Sequence, residues 1–198
     1  TYNETLRCDL AVGVSIIGEG VTSHIVSTYH PVSGTEYDGI FYLRSETATD
    51  GNQSISYLKI SGSDTTAWYG IYVGRRNNVK IHHCTIQDFK YRGVSFWSNP
   101  YTTGVYATGN ELHDCIISNA SSRTYTTYYG AGAIHIGGQD GMKIYNNVIS
   151  STSRTAGNNG NIFSTYSIGW NRGIKYYNNK SYTLESNGTE WNFHIEEW

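Results

Sequence analysis

The chain is poor in several residue types, and each shortage argues against a class of protein. Its 198 residues include two prolines, three cysteines and one methionine, and charged residues make up only 15%. The cysteine spacings fit neither a zinc ribbon nor a small disulfide-stapled module. With a formal net charge of −2, the chain lacks the positive field that draws proteins to nucleic acid or to an anionic membrane.

Long apolar segments are missing as well. No run of about 18 apolar residues occurs, which argues against a membrane-spanning helix, and no segment has the apolar period of an amphipathic helix. The N-terminus has no basic-then-apolar signal pattern. We therefore expect no nucleic-acid or membrane partner, and we expect a mature bacterial-type exported protein, secreted or at the cell surface.

The residues that are abundant favour strands and turns. The chain contains 22 glycines and 18 tyrosines, together with many Ser, Thr and Asn residues. Aromatic and β-branched residues fit the pleated surface of a sheet, whereas glycine and asparagine fit tight turns. Because the length is that of one domain, we predict a single all-β domain over residues 1–198.

A repeat every 31 or 32 residues organises the chain. Four segments align: NVKIHHCTIQ (78–87), GNELHDCIIS (109–118), GMKIYNNVIS (141–150) and GIKYYNNKSY (173–182). A period of this length without a helical pattern indicates the stacked, strand-based turns of a solenoid. Together with the other strand-like segments, the repeat predicts about six or seven coils.

Equivalent positions of the repeats form columns, which lie about 4.8 Å apart from coil to coil in such a stack. Two columns are apolar and predict the core: Ile81, Leu112, Ile144 and Tyr176, then Ile86, Ile117 and Ile149 before Ser181. An intervening column is solvated: Lys80, Glu111, Lys143 and Lys175. A fourth column predicts an inward ladder of free thiols and amides at one turn: Cys84, Cys115, Asn147 and Asn179.

Three segments carry a resemblance to a known fold family: GVSIIGEGVTSHIV (13–26), GIYVGRRNNVKIHHCTIQDF (70–89) and GAIHIGGQDGMKIYNNVI (132–149). They resemble the right-handed parallel β-helix of the pectate lyase-like superfamily, and the resemblance extends over essentially the whole chain. It implies three sheets per coil and, in the enzymes, a substrate groove on the outer face of the strand before the Asn turn. A scaffold alone implies no particular chemistry.

Along that outer face we expect Tyr72, Ser95, His135, either Phe163 or Ser164, and His194. His135 lies between Ile134 and Ile136, so strand alternation turns it away from the core. A histidine titrates near neutral pH and can remove a proton from a bound substrate. The alternative, a surface histidine with no role, stays open.

Basic and aromatic residues flank the same face. Guanidinium groups pair well with a carboxylate such as that of a uronate, and aromatic rings pack on sugar rings. The predicted substrate-binding residues are Tyr72, Arg75, Arg76, Trp97, Tyr128, Trp191 and His194. Solvated charges and aromatic cover for the core are the alternatives.

The sequence offers weaker support for a hydrolase site or a metal site. No pair of carboxylates faces the groove before Glu196 and Glu197 in the last coil, which disfavours a glycoside hydrolase. Asp114 and Asp140 are isolated, so calcium is open but unsupported, and we predict no cofactor. The histidines His82, His83 and His113 could bind a transition metal, but with no further ligand evident a plain polar face is favoured.

These residues predict a polysaccharide lyase that cleaves an acidic glycan by β-elimination. Arg92, or Arg76, would neutralise the substrate carboxylate; His135, or Lys90, would remove the C5 proton; and Tyr129 would protonate the leaving oxygen. The alternative is a non-catalytic carbohydrate-binding, adhesin-like or tail-spike-like β-helix.

Because the chain ends in a strand with no visible cap, it either stacks end to end on a partner, continues in a longer β-helix or has a short loop cap.

Overall fold

The computed structural model describes residues 1–29, 38–62, 68–89, 91–99, 101–102, 104–120, 131–151, 162–183 and 190–196. Within these ranges the protein is all-β. They contain no helix that could cross a membrane.

The strands of the described ranges follow one another as short segments separated by tight turns. The first ten are β1 (Tyr2–Glu4), β2 (Cys8–Asp9), β3 (Ile16–Ile17), β4 (His24–Ser27), β5 (Phe41–Ser56), β6 (Lys59–Gly62), β7 (Tyr69–His82), β8 (Thr85–Phe89), β9 (Arg92–Trp97) and β10 (Ala107–Thr108). The next ten are β11 (Glu111–His113), β12 (Ile116–Ala120), β13 (Ala131–Gly137), β14 (Gln139–Asp140), β15 (Lys143–Tyr145), β16 (Val148–Ser151), β17 (Ile162–Ile168), β18 (Lys175–Tyr177), β19 (Lys180–Thr183) and β20 (Glu190–Glu196).

In the part of the chain that the structure describes, these strands form three sheets and pair only in parallel. The first sheet has the order β1-β4-β6-β8-β12-β16-β19, and a small one pairs β10 with β14. The largest has the order β18-β15-β11-β7-β9-β13-β17-β20, with β5 beside β7 and with β2 and β3 beside β5. It is strongly curled, like half a barrel.

The columns predicted from the repeat are confirmed by the strand register. Leu112 pairs with Ile81 on one side and with Ile144 on the other, and Ile144 pairs with Tyr176. The first three are buried, and Tyr176 packs against the same core. The register also places Glu111 between Lys80 and Lys143, with carboxylate-to-ammonium distances of 3.9 and 3.2 Å.

The inward ladder at the turn is confirmed as well. Nδ2 of Asn147 donates hydrogen bonds to Oδ1 of Asn179 at 2.9 Å and to the carbonyl of Leu112 at 3.0 Å. Its own Oδ1 accepts from the backbone N–H of Cys115 at 3.0 Å. Cys84 and Cys115 are buried free thiols. The side chains of the ladder thus satisfy backbone groups that the turn would otherwise leave buried without partners.

The residue before the ladder position adopts a left-handed backbone conformation in five successive repeats. The φ angles there are 55° at Tyr57, 54° at His83, 52° at Asp114, 56° at Asn146 and 54° at Asn178. Asparagine and aspartate tolerate this region better than most residues, because their short polar side chains bond to the local backbone. The recurrence means that side chains at this position point outward in a column of their own.

Candidate functional site

The outer face of the first strand in each repeat carries one continuous row of side chains. Register pairs link Tyr72 to Ser95, Ser95 to His135, and His135 to Tyr166. The backbone of His194 continues the row beside Tyr166. The prediction of Phe163 or Ser164 for this row was wrong. Tyr166 occupies it because β17 extends to Ile168, beyond the strand that the sequence predicts over residues 161–165.

His135 points away from the core, as alternation predicted, yet it is buried. Only 1% of its surface is exposed. Its ring is stacked between Trp97, at 4.7 Å and an interplanar angle of 19°, and Tyr166, at 5.5 Å and 16°. Trp97 is half-buried and meets the edge of Tyr101, which is 56% exposed. The stack therefore runs from a buried imidazole to an exposed aromatic rim.

The hydrogen bonds of His135 fix its protonation. Nη1 of Arg92 donates to Nδ1 of His135 at 2.6 Å, and Oγ of Ser95 lies 2.9 Å from the same nitrogen. Arginine has only donors, so Nδ1 is the acceptor and the neutral ring carries its proton on Nε2. Burial, and then the charge of Arg92, hold the pKa of His135 well below its ordinary value. Among the described residues, the buried Nε2 has no hydrogen-bond partner.

Arg92 lies in an aromatic pocket. Its guanidinium carbon is 4.4 Å from the ring centroid of Tyr91 and 5.6 Å from that of Tyr69. Nη2 donates to the hydroxyl of Tyr91 at 3.1 Å, and only 5% of the residue is exposed. Because guanidinium is more weakly hydrated than ammonium, it tolerates such burial against aromatic faces.

Arg76 does not reach the outer face. Its Nη1 donates to the carbonyl of Leu10 and to Oε1 of Gln53, each at 2.7 Å, and its Nη2 donates to the carbonyl of Arg44 at 2.9 Å. Only 5% of its surface is exposed, and these hydrogen bonds link three repeats. These contacts give Arg76 a structural role, which does not fit its prediction as a substrate-binding residue.

The remaining predicted residues are scattered. Tyr72 is stacked on Tyr42 at 5.2 Å and shares the row of His135. Arg75, half-buried, donates from Nη1 to the carbonyl of Glu46. Trp191 and His194 lie in β20, and for these two residues only the backbone is described. Three predicted residues lie outside the described ranges: Lys90, Tyr128 and Tyr129.

Sequence reasoning missed Tyr166 at this site and the contact that Tyr91 makes with Arg92. Tyr166 follows His135 by 31 residues, which is the repeat offset, so counting from His135 would have found it. Tyr91 directly precedes Arg92, but nothing in the sequence indicates that its hydroxyl meets the guanidinium.

Two further features lie away from this row. A cavity of about 230 Å³ adjoins the core at β17 and β20, where Ile136, Ser167 and Phe193 line it. Since Ile136 faces the core and His135 faces outward, this cavity is on the opposite side of the sheet from the stack. Potential metal ligands converge at a turn, at His83, His113 and Asp114.

No protein-family model matches the chain, and no curated protein sequence matches it. A solved structure described as a glycoside hydrolase is similar, with 14% identity and a TM-score of 0.41, over 89% of this chain and 31% of that one. An alginate lyase from Paenibacillus sp. str. FPU-7 has 14% identity and a TM-score of 0.26, over 95% and 91%. The chain thus spans under a third of the hydrolase, and scores this low carry no argument about activity.

Proposed function

We propose that the chain is a right-handed parallel β-helix of about six or seven coils that acts as a polysaccharide lyase, secreted or at the cell surface. Its substrate is a uronate-containing glycan, cleaved by β-elimination. The observation that supports this most is the contact between the Arg92 guanidinium and the neutral His135 imidazole, on the outer face and beside Trp97. The contact brings a carboxylate-binding cation and a potential base together in one place.

The reaction needs those two groups. A base removes the proton from C5, the bond from C4 to the bridging oxygen breaks, a double bond forms between C4 and C5, and the leaving oxygen takes up a proton. The negative charge that develops at C5 spreads into the uronate carboxylate. A guanidinium paired with that carboxylate stabilises the charge and so makes the C5 proton more acidic.

In the structure, Nδ1 of His135 accepts a hydrogen bond from Arg92. The lone pair with which His135 would remove the C5 proton is therefore engaged. A carboxylate is a stronger acceptor for guanidinium than a neutral imidazole is, so substrate binding draws Arg92 away and releases Nδ1 as the base. The same pairing neutralises the charge that helps to lower the pKa of His135, and the imidazole becomes more basic when substrate is present. Lys90 as an alternative base and Tyr129 as the acid remain proposals.

The aromatic rim supplies binding. Trp97 and Tyr101 meet edge to face at 5.9 Å and lead from the surface to the buried pair. The apolar C–H face of a sugar ring packs on such rings. A glycan lying on this rim brings a uronate carboxylate toward Arg92.

The burial of His135 and Arg92 also fits a second candidate function. His135 and Arg92 are only 1% and 5% exposed, which suits a polar support for the rim as well as it suits a catalytic pair. In this case the protein is a non-catalytic carbohydrate-binding, adhesin-like or tail-spike-like β-helix. The cluster then orients Trp97, and no proton is transferred.

The test is incubation with alginate, pectate and glycosaminoglycans while the absorbance of the unsaturated product is followed. Product from the wild-type protein, lost in His135→Gln and Arg92→Lys but retained in His24→Gln, supports the lyase. His24 is a suitable control because it lies in β4, in another sheet. Glycan-array binding that Trp97→Ala abolishes, without any product, supports the binding protein instead. Folded protein that neither binds nor cleaves contradicts both.

A further inference from the structure

A compact group of potential metal ligands lies on two equivalent turns of successive repeats. One turn joins β7 to β8, and the other joins β11 to β12. His82 and His83 belong to one repeat, and His113 and Asp114 occupy the same two positions in the next. Two positions on each of two stacked turns thus carry three imidazoles and one carboxylate. This site is independent of the proposed lyase chemistry, which lies on β9 and β13.

The distances suit shared ligation. One ligand atom from each of His83, His113 and Asp114 lies within 4.8 Å of the others, and Nδ1 of His113 is 2.7 Å from Oδ2 of Asp114. Around a tetrahedral zinc ion with bonds of about 2.0–2.1 Å, neighbouring ligand atoms are roughly 3.3 Å apart. Small side-chain rotations therefore bring the three atoms into range. The ring planes of His83 and His113 are 84° apart, so the two rings are not stacked on each other and can approach one ion from different directions.

His82 holds His83 in place. Their Nδ1 atoms are 2.9 Å apart, so one donates a proton and the other accepts it. When His83 is the donor, its Nε2 has no proton and is available to a metal, and a second residue orients its ring, as is usual around ligating histidines. His82 itself is stacked on His113 with planes 1° apart, an arrangement in which the two rings cannot point at the same ion.

The site is open to solvent and includes an anionic ligand for a cation. His83 and Asp114 are exposed and His113 is half-buried, so an ion can enter from solvent. Asp114 supplies a carboxylate oxygen, the anionic ligand of the three. The left-handed turn that presents His83 and Asp114 is repeated in every neighbouring coil described, and the backbone is therefore already shaped before an ion arrives.

We propose that His83, His113 and Asp114 bind one divalent first-row transition ion, with His82 as the residue that positions His83. Two imidazoles and one carboxylate are ligands that Zn²⁺ accepts, and Cu²⁺ is expected to bind such a set at least as tightly. Three protein ligands leave a fourth position for water or for a small ligand.

Neighbouring repeats supply the matched variants. The position of His113 is Tyr145 in the next repeat, and the position of Asp114 is Asn146. The triple variant His83→Asn/His113→Tyr/Asp114→Asn therefore gives this turn the residues that its neighbours already carry, and it should fold. His82→Phe keeps the stack on His113 but loses the hydrogen bond to His83. His24→Gln is the control for a histidine elsewhere.

The experiment is calorimetric titration of chelator-treated, untagged protein with Zn²⁺, together with Co²⁺ absorption spectra and melting curves. We expect one equivalent to bind and to raise the melting temperature. Affinity should fall at least about tenfold in each single ligand variant and in His82→Phe, and binding should be lost in the triple variant but kept in His24→Gln. Failure of folded wild-type protein to bind, or equal affinity in the triple variant, overturns the proposal.

Discussion

Nη1 of Arg92 lies 2.6 Å from Nδ1 of His135, so a permanent cation is held against a buried imidazole. The imidazole can take this place only as the neutral species, because a second positive charge there would be repelled and poorly solvated. The contact thus couples the protonation of one histidine to the folded state.

The first prediction is a loss of stability in mild acid. The folded pKa of His135 lies well below its ordinary value, whereas the unfolded chain takes up the proton below about pH 6.5. The free energy of unfolding is therefore intact above about pH 6.5 and falls below it, by up to about 1.4 kcal/mol per pH unit. When the free energy of unfolding is measured in urea and plotted against pH, its slope should be shallower in His135→Gln than in the wild type. The slope of His24→Gln should differ less from that of the wild type. An unchanged slope in His135→Gln contradicts the assignment.

The second prediction separates two adjacent arginines. Arg76→Met leaves the carbonyls of Leu10 and Arg44 and the Oε1 of Gln53 without this donor. Each such loss costs about 1–3 kcal/mol, so unfolding free energy should fall by about 3 kcal/mol or more. Arg75→Met should cost less than about 1 kcal/mol, since Arg75 is partly exposed. Equal effects in denaturant titrations would show that Arg76 is not the structural member of the pair.

The third prediction concerns the ladder at the turn. Asn147→Ala leaves the N–H of Cys115 and the carbonyl of Leu112 unsatisfied, which should lower the unfolding free energy by about 2–4 kcal/mol. Asn147→Cys should be milder, because Cys84 and Cys115 already occupy this position in earlier repeats and Cys84 bonds weakly to the carbonyls of Ile55 and His82. Chemical denaturation measures both, and an Ala variant no worse than the Cys variant contradicts the ladder argument.

The fourth prediction is on thiol reactivity. Cys8 is exposed, whereas Cys84 and Cys115 are buried, and burial raises the pKa of Cys115 well above its usual value. Since the thiolate is the reactive species, a disulfide-forming thiol reagent should modify Cys8 in the native protein and the other two only after unfolding. Mass spectrometry of the labelled peptides identifies the sites. Rapid native labelling of Cys115 contradicts its buried placement.

Much of the fold could be predicted because the repeat converts spacing into adjacency. Parallel strands in stacked turns bring residues 31 or 32 apart side by side, so Ile81, Leu112 and Ile144 had to be neighbours if the solenoid formed. The same counting gives the inward ladder of Asn147 and Asn179. The predicted strand at 161–165 did not include Tyr166, but the offset of 31 residues from His135 places Tyr166 beside it.

The placement of Arg76 could not be predicted in this way. Strand alternation holds only while the backbone stays extended, and Arg75 adopts a φ of 53°, which breaks the alternation and directs Arg76 inward. Its acceptors belong to residues 23 to 66 positions away. No local pattern reports such a change of direction.

By itself, the sequence determined the strand class, the repeat, the core columns and the outward direction of His135, because these depend on local alternation and on a regular offset. Only the tertiary structure decided that His135 is buried between Trp97 and Tyr166, that Arg92 rather than Arg76 accompanies it, and that Asp114 joins His83 and His113. Burial and protonation depend on what other turns place over a residue, and that is a property of the packed stack.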